Sequence, residues 1–238
     1  MYEELTGFRH EHKYVEPGIN LISAEMRLAK IMGKDPHVSE KGWYGVRSLY
    51  FDDHRDRYFG DSLAGVDERE KWRIRIYDRC SDHIRLECKI RRSDLVLKQS
   101  CSIDAVVFGK LTAKTAEISS DNPPLLNRFI GEIRMHALTP AVIVEYDRTP
   151  FVCPNGNTRV TLDRNIRSSC ETDAFLADRA IASRPVMSVG QDLLEVKFDA
   201  FLPDHIAHAI EHGRMRRETF SKYYLARKFP FDGVFIKH

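Results

Sequence analysis

The chain has 238 residues, of which 42% are hydrophobic and 30% charged, a balance typical of a globular protein with a substantial core. Its formal net charge is only +2, which argues against a generally basic nucleic-acid-binding protein. No apolar run approaches the roughly 20 residues of a membrane helix, and the charged N-terminus lacks the apolar stretch of a secretory signal, so the sequence predicts a cytoplasmic protein with no membrane segment of its own.

The predicted elements are mainly strands with a few amphipathic helices between them. In chain order, the patterns predict a strand over 8–15, a helix over 21–32 capped by Asn20, strands over 44–52, 69–78, 83–91 and 95–103, a helix over 123–136, strands over 141–151 and 158–164, a short helix near 173–181, a strand over 193–199 and a helix from Pro203 to Gly213. The stretch 105–117 fits neither pattern clearly. We expect an architecture that is dominated by antiparallel strands.

Several predicted strands carry charged residues on one face and apolar residues on the other, because residues two apart share a face of a strand. In the strand at 69–78 the charged face is Arg69, Lys71, Arg73 and Arg75, and the apolar face is Trp72, Ile74 and Ile76. The same alternation in four other strands gives polar faces with Arg9, Glu11 and Lys13; Arg85, Glu87 and Lys89; Arg159, Thr161 and Asp163; and Glu195, Lys197 and Asp199.

Two interpretations of these charged faces compete. Antiparallel sheets often expose one face to water, which would make each charged face an ordinary surface. However, the faces combine several Arg and Lys with a few Glu, and amphipathic helices are available to cover the apolar faces. A closed barrel with helices outside would place the charged faces in its interior. So many cations repel each other unless a polyanion or counterions neutralise them, so the pattern favours a polyanion-binding lumen.

These residues resemble the VTC domain, the polyphosphate polymerase branch of the CYTH-like triphosphate tunnel metalloenzymes. The matching segments are RHEHKY at 9–14, VRSLYFDD at 46–53, REKWRIRIY at 69–77, IRLECKIR at 84–91, VEYDRTPF at 144–151, RVTLD at 159–163, LEVKFD at 194–199 and FSKYYLA at 220–226. Each motif alone is weak, but their order and spacing are specific. The resemblance implies a single domain over 1–238 with an α+β fold, in which an antiparallel β-barrel encloses a triphosphate tunnel and helices pack outside.

The resemblance also implies which side chains line the tunnel. The basic residues expected to be catalytic are Lys13, Arg73, Arg75, Lys89, Lys98, Arg148, Arg159 and Lys222. The expected phosphate-binding companions are Arg9, Lys71, Tyr146, Lys197 and Ser221. Glu195 resembles the carboxylate that anchors a catalytic Mn²⁺ or Mg²⁺, and Glu11 and Glu87 would assist it through water. The parity of Arg47, Arg69 and Arg85 permits tunnel positions, so their roles stay open.

The activity implied by the resemblance is metal-dependent transfer of the γ-phosphate of ATP to a growing polyphosphate, with release of ADP. The expected partners are ATP and polyphosphate and not nucleic acid, and export of the product would need a separate membrane protein. Hydrolysing relatives typically begin with an ExExK strand, whereas residues 9–13 here read RHEHK. Arginine at the first acidic position favours polyanion binding over activation of water. Triphosphate hydrolysis and a non-catalytic polyphosphate sensor or accessory subunit are the alternatives, and the oligomeric state is left open.

Overall fold

The computed structural model describes residues 7–36, 38, 40–210 and 215–228. Its strands are β1 (Arg9–Pro17), β2 (Gly33–Lys34), β3 (Tyr44–Asp52), β4 (Arg69–Tyr77), β5 (Cys80–Arg92), β6 (Leu95–Ile103), β7 (Thr139–Cys153), β8 (Thr158–Ser169), β9 (Arg184–Pro185) and β10 (Gln191–Phe198). Its helices are α1 (Gly18–Ile31), α2 (Arg57–Ala64), α3 (Ala105–Thr112), α4 (Pro124–His136), α5 (Asp204–Ile210) and α6 (Lys222–Lys228).

Eight strands form a closed antiparallel barrel. Around the barrel the order is β7-β3-β4-β5-β6-β1-β10-β8, and β8 pairs back with β7 to close the ring. The short strand β2 pairs antiparallel with β7, and the short strand β9 pairs antiparallel with β8. All eight predicted strands are present, and the predicted antiparallel barrel with helices packed outside is confirmed.

The apolar faces of the strands point outward, under the helices. Trp72 of β4 is fully buried and stacks on Phe129 of α4, with ring centroids 4.9 Å apart. On another side of the barrel, Leu194 and Val196 of β10 belong to an apolar cluster with Leu28 of α1. Each such side chain contributes about 1.5–3 kcal/mol when it is removed from water. Because alternate residues point the other way, this outward packing directs the charged faces into the lumen.

The helices depart from the sequence-based expectations where the first N–H groups donate to acceptors other than the side chain of the residue before the helix. Helix α1 begins at Gly18 and not after Asn20, because the backbone N–H of Gly18 donates to Gly190 O at 2.8 Å. In α2 the residue before the helix, Asp56, makes no side-chain cap, and the first backbone N–H, of Arg57, donates instead to Asp53 Oδ1 at 3.1 Å. The backbone N–H groups of Tyr58 and Phe59 donate at 3.0 Å to Asp52, which ends β3. The sequence analysis therefore missed α2.

The region at 173–181 was predicted to be a short helix, which is wrong. It contains only a 3₁₀ turn over Thr172–Ala174. The buried Arg47 organises this region from the outer face of β3 by donating to the carbonyl oxygens of Phe175 and Arg179 at 3.0 and 2.9 Å. These bonds replace the intrahelical ones.

The ambiguous stretch at 105–117 contains α3, whose first turn is capped by Asp104. The predicted end of the last helix at Gly213 lies outside the described residues. None of the helices in the described part of the chain combines the length and hydropathy that a membrane crossing requires.

Candidate active site in the barrel lumen

The charged faces enclose a cavity of about 400 Å³ inside the barrel. Among the described residues, two glutamates, Glu11 and Glu195, line it. The twelve cationic side chains that line it are Arg9, Lys13, Arg69, Lys71, Arg73, Arg75, Lys89, Arg91, Lys98, Arg148, Lys197 and Lys222. Such an excess of positive charge suits a polyanionic ligand.

The register of the strands sets which lumen charges are neighbours. Lys13 of β1 lies opposite Glu195 of β10, so these two side chains compensate each other across the strand pair. Lys71 of β4, by contrast, lies opposite Lys89 of β5. Like charges directly opposite each other destabilise a sheet. Lys89 has a carboxylate partner, since its amine lies 2.7 Å from Glu11, so Lys71 is the member of this pair that lacks a counter-charge.

Glu87 anchors a group of three cations. It forms ion pairs with Arg73 at 2.7 Å, Lys98 at 3.1 Å and Arg75 at 3.7 Å. Burial alone would raise the pKa of Glu87, but these cations hold it well below its usual range. Arg75 also donates to Tyr146 Oη at 3.0 Å. The two guanidinium groups are thus held in fixed orientations before any ligand binds, which favours bidentate contacts to phosphate.

Residues 219–224, which span the approach to α6 and its first turn, also line the lumen, although they lie near the C-terminal end of the described chain. Lys13 Nζ donates to Phe220 O at 2.8 Å, and Lys71 Nζ donates to Ser221 Oγ at 3.0 Å. Lys222 Nζ donates to Glu195 at 2.7 Å. These contacts bring this segment together with predicted site residues on three different strands, at sequence separations of 207, 150 and 27 residues.

Lys222 and Arg148 share two buried carboxylates. Lys222 Nζ lies 2.6 Å from Asp163 and 2.7 Å from Glu195. Arg148 donates to Asp163 through Nε at 2.6 Å and Nη2 at 2.7 Å, and lies 3.5 Å from Glu195. Burial alone would lower the pKa of Lys222, but Asp163 and Glu195 raise it above its usual range. The sequence analysis did not name Asp163 as a site residue, although its strand parity placed it on a charged face.

Each predicted metal-binding carboxylate is paired with cations. Glu11 contacts Lys89 at 2.7 Å, Lys13 at 3.3 Å and Lys197 at 3.6 Å. In the described ranges no group of three or more His, Cys, Asp or Glu side chains has an arrangement that could hold a metal ion. The residues therefore do not form a metal cage made of protein alone. They fit a divalent ion held by Glu195 and by phosphate oxygens of a substrate, an arrangement that Mg²⁺ commonly adopts.

Lys71 lacks a carboxylate partner: no Asp or Glu in the described parts of the chain lies within 4 Å of its amine. The charged groups that face it are Lys89, Lys13, Arg69 and Arg91. Burial and then these cations lower the pKa of Lys71 to about 6. The amine is therefore largely neutral at pH 7 until an anion binds beside it.

The remaining predicted residues lie in different places. Arg159 is separate from the cavity lining, since its guanidinium contacts Tyr44 Oη at 3.0 Å and Asp35 at 2.8 Å. Arg69 lines the cavity, whereas the exposed Arg85 donates to Ser102 Oγ at 3.1 Å. Whether the residues in the lumen bind phosphate stays a prediction.

The family model of the VTC domain matches residues 8–231 of this chain. No curated protein sequence matches this chain.

Solved structures are similar to this chain at low sequence identity. The PH1819 protein of Pyrococcus horikoshii OT3 is 13% identical, with a TM-score of 0.47 over 92% of this chain and 98% of that one. A protein from Hippeastrum, described as a putative adenylyl cyclase with a dominant triphosphatase activity, is 15% identical, with a TM-score of 0.49 over 86% of this chain and 84% of that one. Similarities of this size do not indicate a shared activity.

Proposed function

The chain belongs to the VTC domain family, and on this premise we propose that it is a metal-dependent polyphosphate polymerase. It would transfer the γ-phosphate of ATP to the end of a polyphosphate chain and release ADP. The observation that carries the proposal is the lumen itself, where twelve basic side chains and two carboxylates line one cavity of about 400 Å³ among the described residues. This volume is in the range of small-ligand sites.

Phosphoryl transfer requires mainly positioning and neutralisation of charge. A terminal oxygen of polyphosphate attacks the γ-phosphorus, the bond from that phosphorus to the bridging oxygen of the β-phosphate breaks, and ADP leaves with that oxygen. The attacking oxygen is already ionised near neutral pH, so the step needs no strong general base. Arg73 and Arg75 would grip phosphate oxygens with guanidinium groups that Glu87 and Tyr146 already orient.

Glu195 would hold Mn²⁺ or Mg²⁺, which when bound neutralises charge on the β- and γ-phosphates. In the structure Glu195 contacts Lys222 at 2.7 Å and Lys197 at 3.4 Å. With Glu195 engaged by a metal, Lys222 and Lys197 would be free to contact phosphate oxygens. The same cations would therefore bind the carboxylate in the free protein and the substrate in the complex.

Arg9 supports polymerisation over hydrolysis. It lines the cavity at the position where hydrolysing relatives are expected to carry an acidic metal ligand. Glu11 is paired with three lysines, within 3.6 Å in each case, so it is poorly placed to orient a water molecule. A lumen with these contacts is better suited to holding a long anion than to activating water.

The test is incubation of the purified protein with ATP and Mn²⁺ or Mg²⁺, with ADP, free phosphate and polyphosphate measured in the same sample. We expect ADP and a polyphosphate ladder with little free phosphate. Lys222→Ala should weaken both tripolyphosphate binding and turnover, whereas Arg85→Ala, a matched loss of an exposed cation, should change neither. Stoichiometric free phosphate would indicate a hydrolase, and tight binding without turnover would indicate a sensor or accessory subunit.

A further inference from the structure

Asp163 is the most deeply buried carboxylate of the lumen network, with 0% of its surface exposed. It accepts two hydrogen bonds from Arg148, at 2.6 and 2.7 Å, and its Oδ2 lies 2.6 Å from Lys222 Nζ. Both of these cations line the cavity, but Asp163 itself does not. Asp163 therefore acts on the cavity lining through its contacts with Arg148 and Lys222.

Glu195 shares the same two cations with Asp163. It lies 2.7 Å from Lys222 Nζ and 3.5 Å from Arg148 Nη2. The four buried groups form a balanced cluster of two cations and two anions. If Glu195 binds a metal, its charge is no longer available to the cluster, and Asp163 alone keeps the two cations in place.

We propose that Asp163 is a positioning residue that holds Lys222 and Arg148 in the lumen while Glu195 binds the metal. The inference rests on the proposed function, because it assigns a separate task to each carboxylate of the pair. Without Asp163, both cations would depend on Glu195, so the metal would have to displace them from their last carboxylate partner. With Asp163 present, Lys222 and Arg148 would keep their positions beside the phosphate-binding cavity when Glu195 binds the metal.

A purely structural role for Asp163 gives different expectations. Removing one partner of a buried ion pair destabilises a protein whatever its function, so a loss of activity alone would not distinguish the two roles. The positioning role specifically predicts weaker metal binding together with intact anion binding. A structural role predicts losses that follow the folded fraction and affect both ligands equally.

The experiment compares the wild-type protein with Asp163→Asn, Asp163→Glu and the control Thr161→Val. Thr161 lies two residues earlier on the same strand, is buried, and has a hydroxyl without a described partner. Five quantities are measured for each protein: kcat for ATP, KM for ATP, the Mn²⁺ concentration for half-maximal rate, calorimetric tripolyphosphate affinity without metal, and calorimetric Mn²⁺ affinity of the tripolyphosphate complex.

For Asp163→Asn we expect kcat to fall about 10–100-fold, the usual effect of losing a residue that orients the groups around a metal. Mn²⁺ affinity should fall by about 10-fold, within the same range. Tripolyphosphate should bind the metal-free variant as well as the wild type or more tightly, because the lumen has lost a negative charge. Thr161→Val should match the wild type in all five quantities.

Asp163→Glu tests the proposal even if the asparagine variant folds poorly. It keeps the negative charge, so the two buried cations retain a counter-charge, but its longer side chain moves the carboxylate. A lowered kcat together with weaker Mn²⁺ binding and unchanged tripolyphosphate affinity would support positioning, whereas a normal kcat would show that only the charge matters and would overturn the proposal. Unchanged Mn²⁺ affinity in a folded Asp163→Asn protein would overturn it as well. If the wild type binds tripolyphosphate but forms no polyphosphate, the proposed function fails, and the Mn²⁺ titrations still decide the role of Asp163.

Discussion

Binding of a polyphosphate should be accompanied by protonation of Lys71, and Lys71→Arg should abolish this proton uptake. Lys71 contacts the Ser221 hydroxyl at 3.0 Å and faces lysines and arginines of β1, β4 and β5. Burial and these cations lower its pKa to about 6. A phosphate beside the amine supplies the missing negative charge, so the pKa rises and the amine takes up a proton.

The size of the effect follows from the titration of a single amine. With a pKa of about 6, Lys71 is protonated in about one molecule in ten at pH 7 and in about half at pH 6. If binding restores the pKa to an ordinary lysine value, the uptake by Lys71 is about 0.9 proton at pH 7 and about 0.5 at pH 6. An arginine at this position stays protonated in both states, so its contribution is zero.

The assay is calorimetric titration of the metal-free protein with tripolyphosphate in buffers of different ionisation enthalpy. The dependence of the heat on the buffer gives the number of protons taken up per complex. Burial and two nearby lysines also lower the pKa of Lys89, to about 7, so Lys89 contributes to the uptake as well. The wild-type value minus the Lys71→Arg value removes the ligand's own protonation and the part of the Lys89 uptake that the two proteins share. Lys98→Arg is the matched control, since Lys98 is a lumen lysine that is ion-paired with Glu87 at 3.1 Å.

Equal proton counts for the wild type and Lys71→Arg at pH 7 would refute this reasoning.

The lowered pKa of Lys71 also makes the stability of the ligand-free protein depend on pH. Folding lowers the pKa of Lys71 from 10.5 to about 6, so the unfolded chain binds more protons in this window, and stability should rise with pH across it. Lys71→Met should reduce this rise, as measured by urea unfolding at pH 6.5 to 9.

Three further substitutions test other parts of the structure. Glu195→Gln should remove metal-dependent ADP production and leave metal-free tripolyphosphate binding largely intact in calorimetry; lost binding with normal turnover would contradict this. Arg75→Ala should weaken ATP binding and turnover by more than Arg159→Ala, because Arg159 lies outside the cavity lining; equal losses would contradict the separation. Arg47→Met should lower the free energy of unfolding by about 3 kcal/mol in urea, because Glu145 loses its 2.7 Å partner, while tripolyphosphate affinity of the folded protein stays unchanged.

The sequence predicted the lumen well where the relevant property is local. Alternation along a strand depends only on the strand itself, so the face that carries Lys71, Arg73 and Arg75 could be identified without knowledge of its neighbours. The order of strand-like segments and the outward apolar face with Trp72 led to the barrel for the same reason. The VTC resemblance then joined these faces into one tunnel.

Alternation along a strand did not identify the lumen face where a charged residue points away from the cavity. On β3 the lumen positions are uncharged, as shown by Ser48 and Tyr50, which contact lumen arginines. The charged Arg47 therefore points outward, to the carbonyl oxygens near Phe175. Arg159 has the parity of the lumen, but its contact with Asp35 keeps it apart from the cavity.

The sequence by itself determined which residues share a strand face, and with them the excess of cations in the lumen. Only the tertiary structure decided how those charges are paired. That Lys71 lies opposite another lysine, and that Asp163 shares Lys222 with Glu195, depends on which strands are neighbours, on their register, and on where residues 219–224 enter the barrel. These are contacts between distant parts of the chain, and no local pattern encodes them.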